Sequence, residues 1–188
     1  MGQVVTREEL EALLETDRAA GRSIAFANGC FDVLHVGHVR YLEGSKAQAD
    51  RLVVAINDDD SVRALKGSNR PILAAADRAA IVSALRSVDY VLIFSDLDVN
   101  ELLGRLKPDV HCKGTDYTVS TVPERETVRA YGGRTAIVGD PKDHSTRDLI
   151  ARIRGHSGST TQPRGAARGE GVPASDALRG GRGPTTKK

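Results

Sequence analysis

The chain has 188 residues, 28% of them charged and 39% hydrophobic, with a formal net charge of +2; this is the balance of an ordinary globular protein, and the length allows one domain or two small ones. From Gly155 onward six Lys or Arg stand against two acids, so the body before it is slightly acidic and offers no basic face for nucleic acid. No apolar run approaches the ~20 residues that span a bilayer. The opening MGQVVTREEL has neither the basic start nor the apolar core of a secretory signal. Cys30 and Cys112 form no zinc-type pair, and two isolated thiols suit a reducing, cytoplasmic setting.

The predicted elements alternate between strand and helix. Thr6 with Glu9 three residues on forms a capping box, and Leu10, Leu13 and Leu14 give the apolar stripe of a helix ending near Gly21. SIAFAN (23–28) reads as a short buried strand and 39–47 as a helix. RLVVAIN (51–57) is a near-continuous apolar run, typical of a parallel sheet covered on both faces. Residues 58–60 form an acidic run expected to be solvated and to cap a helix at Ser61. A helix over 77–86, a strand over 89–94, a helix over 100–106 and a short strand over 109–112 follow. A helix over 124–131 stops at Gly132-Gly133, RTAIV (134–138) is the fifth strand, and 146–153 closes the body as a helix. Repeated β-then-α units predict an α/β fold with a Rossmann-like, doubly wound, five-stranded parallel sheet and helices on both faces. The segment from Gly155 holds eight of the 19 glycines and three of the seven prolines, with Val172 and Leu178 its only larger aliphatic residues. Such a composition cannot offset the entropy of ordering, so the expected organisation is one domain over 1–154 and a disordered basic tail over 155–188.

Three common site patterns are absent from the sequence. No G-x-G-x-x-G follows the first strand, which weighs against a dinucleotide site, and no Walker-type glycine loop occurs. No G-x-S-x-G elbow marks a serine hydrolase. What does follow the first strand is GCFDVLHVGH (29–38). A helix N-terminus there presents free N–H groups and a partial positive charge, suited to phosphate. Gly29 permits close approach of the backbone to a ligand and Gly37 close packing of the turn. His35 and His38 lie three apart as the helix begins and can donate hydrogen bonds to phosphoryl oxygens. A zinc site needs further ligands at suitable spacing, and His111, His144 and His156 each stand alone.

This stretch resembles the G-x-F-D-x-x-H-x-G-H signature of the cytidylyltransferase-like nucleotidylyltransferases. Other segments resemble the family in the same order: Leu65-Lys66-Gly67 with Arg70-Pro71, Asp77-Arg78 opening a helix, Lys113-Gly114-Thr115-Asp116-Tyr117, and Ser145-Thr146 before the last helix. The resemblance covers about residues 5–153 and is nearest to the heptose 1-phosphate adenylyltransferase subgroup, through F-x-N-G-C-F-D, the R-P after the lysine loop, and K-G-x-D-Y followed by A-Y-G-G. The R-T-E-G-I-S-T of glycerol phosphate cytidylyltransferases is replaced here by residues 140–146, DPKDHST, without the arginine. Arg147 stands where the subgroup commonly has a second small hydroxyl residue.

The resemblance implies an HxGH-type nucleotidyltransferase that moves AMP from ATP onto a sugar 1-phosphate, D-glycero-D-manno-heptose 1-phosphate, releasing pyrophosphate and ADP-heptose, the precursor of bacterial surface polysaccharide. It implies His35, His38, Lys66 and Arg78 as catalytic residues. It implies Asn28, Gly29, Cys30, Phe31, Asp32, Gly37, Lys113, Gly114, Asp116, Tyr117, Ser145 and Thr146 as the nucleotide and phosphate site, with Mg²⁺ carried on the triphosphate. It further implies a cytoplasmic enzyme, a separate sugar kinase upstream, and a homodimer. Cys30 is expected to be a small buried neighbour rather than a nucleophile. The alternatives are a cytidylyltransferase for a phosphoalcohol such as glycerol 3-phosphate, an FMN adenylyltransferase, or a non-catalytic nucleotide-binding module.

Overall fold

The computed structural model describes residues 1–96, 98–140 and 146–156. Residues 157–188, most of the segment expected to form the basic tail, and Ser145 of the expected phosphate site lie outside the described residues.

Six strands form one sheet: β1 (Gln3–Val4), β2 (Ile24–Gly29), β3 (Arg51–Asn57), β4 (Tyr90–Phe94), β5 (Val110–Lys113) and β6 (Arg134–Ile137). Their order is β1-β4-β3-β2-β5-β6 and every pairing is parallel. The sheet is doubly wound as expected. It has one strand more than predicted, because β1 is only two residues long and too short to show a period. Backbone contacts place it at the edge: Gly2 N–H donates to Ser83 O at 2.8 Å, and Val5 N–H to Val91 O at 2.9 Å. A Cβ on Gly2 would lie 2.8 Å from Val88 O, so that approach needs glycine.

The helices are α1 (Arg7–Ala19), α2 (Val36–Lys46), α3 (Asp59–Lys66), α4 (Ala75–Ser83), α5 (Asn100–Leu106), α6 (Arg125–Ala130) and α7 (Thr146–His156). The capping box on α1 is formed: Glu9 N–H donates to Thr6 Oγ1 and Thr6 N–H to Glu9 Oε2. Asp58 caps α3 by accepting from Ser61 N–H at 2.7 Å. The helix therefore takes in Asp59 and Asp60, whose charges favour its N-terminus, rather than starting at Ser61. The last helix runs three residues beyond the predicted end, past the expected domain boundary.

Alternate residues of each strand face opposite sides, and the core divides accordingly. Phe26, Val53, Ala55, Tyr90, Leu92 and Phe94 pack with Leu10 and Leu14 of α1, Leu102, Leu103 and Leu106 of α5, and Val128 of α6. Ala25, Ala27, Leu52, Val54, Ile56, Val91 and Val110 pack with Phe31, Leu42 of α2, and Ala79 and Val82 of α4. The amino end of the sheet is tied by charge. Buried Asp17 accepts from Tyr90 Oη at 2.7 Å and from Arg22 and Arg51, and Asp89 pairs with Lys46 and Arg51.

This topology fixes where a ligand goes. The chain runs outward from β2 to β3 and β4, then returns to place β5 on the other side of β2. The segments leaving β2 and β5 diverge there, opening a crevice at the carboxyl edge, the usual ligand position in such sheets. The loop after β2 carries the two histidines and the loop after β5 carries Lys113 to Tyr117.

Candidate active site

The turn from Cys30 to Leu34 joins β2 to α2. Phe31 and Val33 have φ of 48° and 55°, a left-handed conformation that costs side-chain-bearing residues free energy and persists only where the surroundings impose it. Here the surroundings do impose it. Phe31 is buried, 5.4 Å from the His38 ring and 6.4 Å from Tyr41. A Cβ on Gly29 would stand 3.2 Å from the Phe31 ring, so glycine lets that ring fold back. Asp32 is also buried. It accepts from Ile72 N–H and Leu73 N–H, each at 3.0 Å, and from Arg70. Burial pulls its carboxyl pKa up, but those donors outweigh it and hold the group below its usual value. Asp32 thus latches the turn to the loop after α3.

His35 is the N-cap of α2 and His38 its third residue, with Gly37 between them. The rings stack with centroids 3.9 Å apart and an interplanar angle of 26°. His35 N–H points at His38 Nδ1 at 3.4 Å, so Nδ1 accepts and the proton sits on Nε2. Burial, and then repulsion from His35, lowers the His38 pKa to about 4. His38 is therefore a neutral hydrogen-bond donor at neutral pH, placed among the free N–H groups of a helix N-terminus.

Lys66 ends α3 and is exposed. Its charge, with those of Arg78 and Arg70, acts on the Cys30 thiol, but burial outweighs all three and raises the thiol above its usual value. Such a thiol is a poor nucleophile, in keeping with the expected role as a small neighbour. Lys66 is thus near enough to the signature turn for its charge to reach Cys30.

Arg78, expected as a catalytic residue, is completely buried. Its Nη2 pairs with Asp59 at 2.8 Å, Nε donates to Leu73 O at 3.0 Å, and Nη1 donates to Cys30 O. It joins the end of β2, the loop before α4 and the start of α3.

Thr146, first residue of α7, donates its hydroxyl to Asp32 O at 3.1 Å. The N-termini of α2 and α7 therefore meet at one turn. The hydroxyl proton serves that docking.

Across the crevice, Gly114 is half-buried and Asp116 and Tyr117 are exposed. Thr115 Oγ1 donates to Asp140 O at 2.7 Å. Lys113, expected as a nucleotide contact, is 8% exposed, and its Nζ donates to Glu124 Oε1 at 3.0 Å and to Asn28 Oδ1 at 3.1 Å. Two residues outside the predicted set belong to this group, Glu124 and His111. His111 shares a strand face with Lys113 at the two-residue period, which is the one signal that could have found it. Glu124 lies eleven positions away across a loop, and no pattern links it. A groove of about 550 Å³ lined by Val119, Ser120, Arg125, Val128, Arg129 and Thr135 contains none of the predicted site residues.

Comparison with known proteins places the chain in a family. The family model described as Cytidylyltransferase-like matches residues 26–164. The chain is 46% identical over 151 residues to the bifunctional protein HldE of Pseudomonas fluorescens (strain SBW25), covering 80% of this chain and 32% of that protein. It is 44% identical over 147 residues to the bifunctional protein HldE of Syntrophotalea carbinolica, covering 78% of this chain and 30% of that one. The chain thus spans about a third of the length of these curated relatives. A crystal structure of the lipopolysaccharide core biosynthesis protein from Thermoplasma volcanium GSS1 superposes with a TM-score of 0.55 at 28% identity, covering 65% of this chain and all of that one. A match over most of the chain, on a sheet whose switch point carries the two histidines, makes this protein a member of the cytidylyltransferase-like family.

Proposed function

We propose that this chain is an adenylyltransferase that moves AMP from ATP to D-glycero-D-manno-heptose 1-phosphate, giving ADP-heptose and pyrophosphate. The observation that carries this reading is the stacked His35–His38 pair at the start of α2, with the start of α7 tied to the same turn by Thr146. Two helix N-termini and two imidazoles converge there, and a polyphosphate is the ligand such a place suits. The sugar acceptor is supported by the relatives named HldE, by the lipopolysaccharide core biosynthesis protein, and by the subgroup motifs in the sequence. HldE is called bifunctional and this chain matches about a third of it; adenylyl transfer is the activity proposed for the matched part. A sugar kinase supplies the phosphorylated acceptor.

Transfer of this kind needs positioning and charge stabilisation more than covalent chemistry. An oxygen of the sugar phosphate attacks the α-phosphorus of ATP in line. The new P–O bond forms as the bond from the α-phosphorus to the bridging oxygen breaks, and that oxygen leaves with pyrophosphate. The acceptor is already an anion, so no strong base is required. Neutral His38, with its proton on Nε2, and His35 donate to phosphate oxygens as charge grows on the leaving group. Lys66 closes over the phosphates from the end of α3. Arg78 and Asp32 hold that segment and the signature turn in register. Asp116 and Tyr117 flank the ribose or base.

Among the described residues no three of His, Cys, Asp and Glu gather to hold a metal ion. Mg²⁺ would arrive on the triphosphate, with protein groups addressing the remaining oxygens. Bound there, Mg²⁺ neutralises phosphate charge. No helix among the described residues is long and apolar enough to cross a membrane. The test is incubation with ATP, Mg²⁺ and D-glycero-D-manno-heptose 1-phosphate, followed by chromatography for ADP-heptose. Formation of CDP-glycerol from CTP and glycerol 3-phosphate in its place would overturn the reading.

A further inference from the structure

We propose that Lys113 and Glu124 are positioning residues, whose buried ion pair fixes the amide of Asn28 so that its N–H group donates to an oxygen of the bound nucleotide. This inference rests on the adenylyl-transfer reading and names how one wall of that site is held.

Lys113 and Glu124 are 8% and 6% exposed, and their charges meet at 3.0 Å. Removing two charges from water costs more than most such pairs regain, and an apolar pair of similar volume often serves stability as well or better. The pair also cancels most of the field that Lys113 alone would offer a phosphate. Its place is nevertheless the end of β5, beside the switch point of the sheet.

Hydrogen-bond chemistry then settles the orientation of Asn28. A lysine ammonium has donors only, so the side-chain atom of Asn28 facing Lys113 Nζ at 3.1 Å is its carbonyl oxygen. His111 Nε2 lies 3.2 Å from the same oxygen. It must donate, so the buried His111 ring carries its proton on Nε2. Burial, with the nearby Lys113 charge, lowers its pKa to about 3, and the ring is neutral with that proton in place. The Asn28 oxygen is thus held from two sides. What the residue can still offer is its NH₂ group, for which no partner occurs among the described residues. Asn28 is half-buried at the end of β2, immediately before Gly29 and the signature turn. Lys113 Nζ is also 5.7 Å from the Tyr117 ring centroid, so the group joins the loop after β5 to the loop after β2. A nucleotide lying across the crevice meets the Asn28 NH₂ on its way between them.

The test uses the whole chain, with MgATP as the probe, and reads position and affinity separately. The Asn28 side-chain amide signal is assigned by nuclear magnetic resonance through its loss in Asn28→Ala. In the unmodified chain, MgATP is expected to shift this signal together with the backbone amides of Gly29 and Gly37. Glu124→Gln is expected to shift the Asn28 signal in the free protein and weaken MgATP binding by about 3–10-fold by calorimetry. Asn28→Ala should weaken it by about 10-fold or more, the worth of one hydrogen bond to a charged group. The double variant should bind no worse than Asn28→Ala alone, since the two residues act as one unit. If Glu124→Gln does not fold, Lys113→Met with Glu124→Leu keeps an apolar pair in place, and it should lose the same affinity while remaining folded.

Additive losses overturn the proposal. So does a Glu124→Gln chain that melts earlier yet binds MgATP normally with the Asn28 signal unmoved. If MgATP moves Gly29 and Gly37 but not the Asn28 amide, the positioning role is wrong while adenylyl transfer stands. If it moves none of them, the adenylyl-transfer reading itself falls.

Discussion

Replacing Arg78 separates a positioning role from direct action on substrate. Three carbonyl or carboxylate groups, on Leu73, Cys30 and Asp59, take donors from this buried guanidinium. Arg78→Ala strips all three. The two backbone carbonyls each lose about 1 kcal/mol of hydrogen bonding. Asp59 is 34% exposed and regains water, so the ion pair adds no more than about 1 kcal/mol. The total is about 3 kcal/mol. With a guanidinium slope of about 4 kcal/mol/M, the unfolding midpoint should fall by roughly 0.7 M. Arg78→Lys keeps the charge for Asp59 but cannot reach both carbonyls in the fixed fork of arginine, and about 2 kcal/mol should be lost. Circular dichroism during guanidinium titration measures both, alongside turnover. If either variant unfolds within about 0.5 kcal/mol of the parent while turnover collapses, the guanidinium acts on the substrate and the account of Arg78 is wrong.

Two further outcomes concern the turn and the acid limb of stability. Asp32→Ala leaves the amides of Ile72 and Leu73 without an acceptor, so hydrogen exchange at both should speed up at least tenfold, and MgATP affinity should fall with them; unchanged exchange would show that the latch is not what holds the loop. Acid should destabilise the fold in two stages. His38 and His111 have folded pKa values of about 4 and about 3, below their ordinary 6.5, chiefly through burial. The unfolded chain therefore takes up protons first, and stability falls as pH drops from about 6.5. For Asp17, burial raises the pKa but hydrogen bonds from Tyr90, Arg22 and Arg51 outweigh it and lower the value. Its contribution is present above the unfolded carboxylate value and is lost as pH falls through the folded one. Melting temperatures from pH 8 to 3 should decline from about 6.5, and His38→Asn should flatten the first stage; a curve flat down to pH 4.5 would contradict the buried, neutral histidines.

Much of this architecture is legible because its signals are local. Apolar runs at 51–57 and 89–94 give buried strands, Thr6 and Glu9 give a helix start, and the histidines around Gly37 sit where a strand meets a helix. What escapes is set by distance along the chain. β1 has two residues and exists only because β4 offers an edge. The three partners of Arg78 lie 5, 19 and 48 positions away. The K-G-T-D-Y stretch does not show that Lys113 meets Glu124 across a loop. Local patterns identify which residues gather at the crevice; whether each faces the ligand or holds a neighbour is decided by charges and carbonyls that only the fold brings together.

If the His35–His38 pair at the start of α2 is where nucleotide transfer occurs, removing one imidazole must slow the reaction. The most direct measurement is the initial rate of ADP-heptose formation from ATP and D-glycero-D-manno-heptose 1-phosphate by His38→Ala, beside the parent and with folding checked by melting temperature. Loss of one placed donor to a developing oxyanion costs about 10²–10³ in rate. The account predicts a folded variant slowed at least that far, whereas a folded variant within a few-fold of the parent would contradict it.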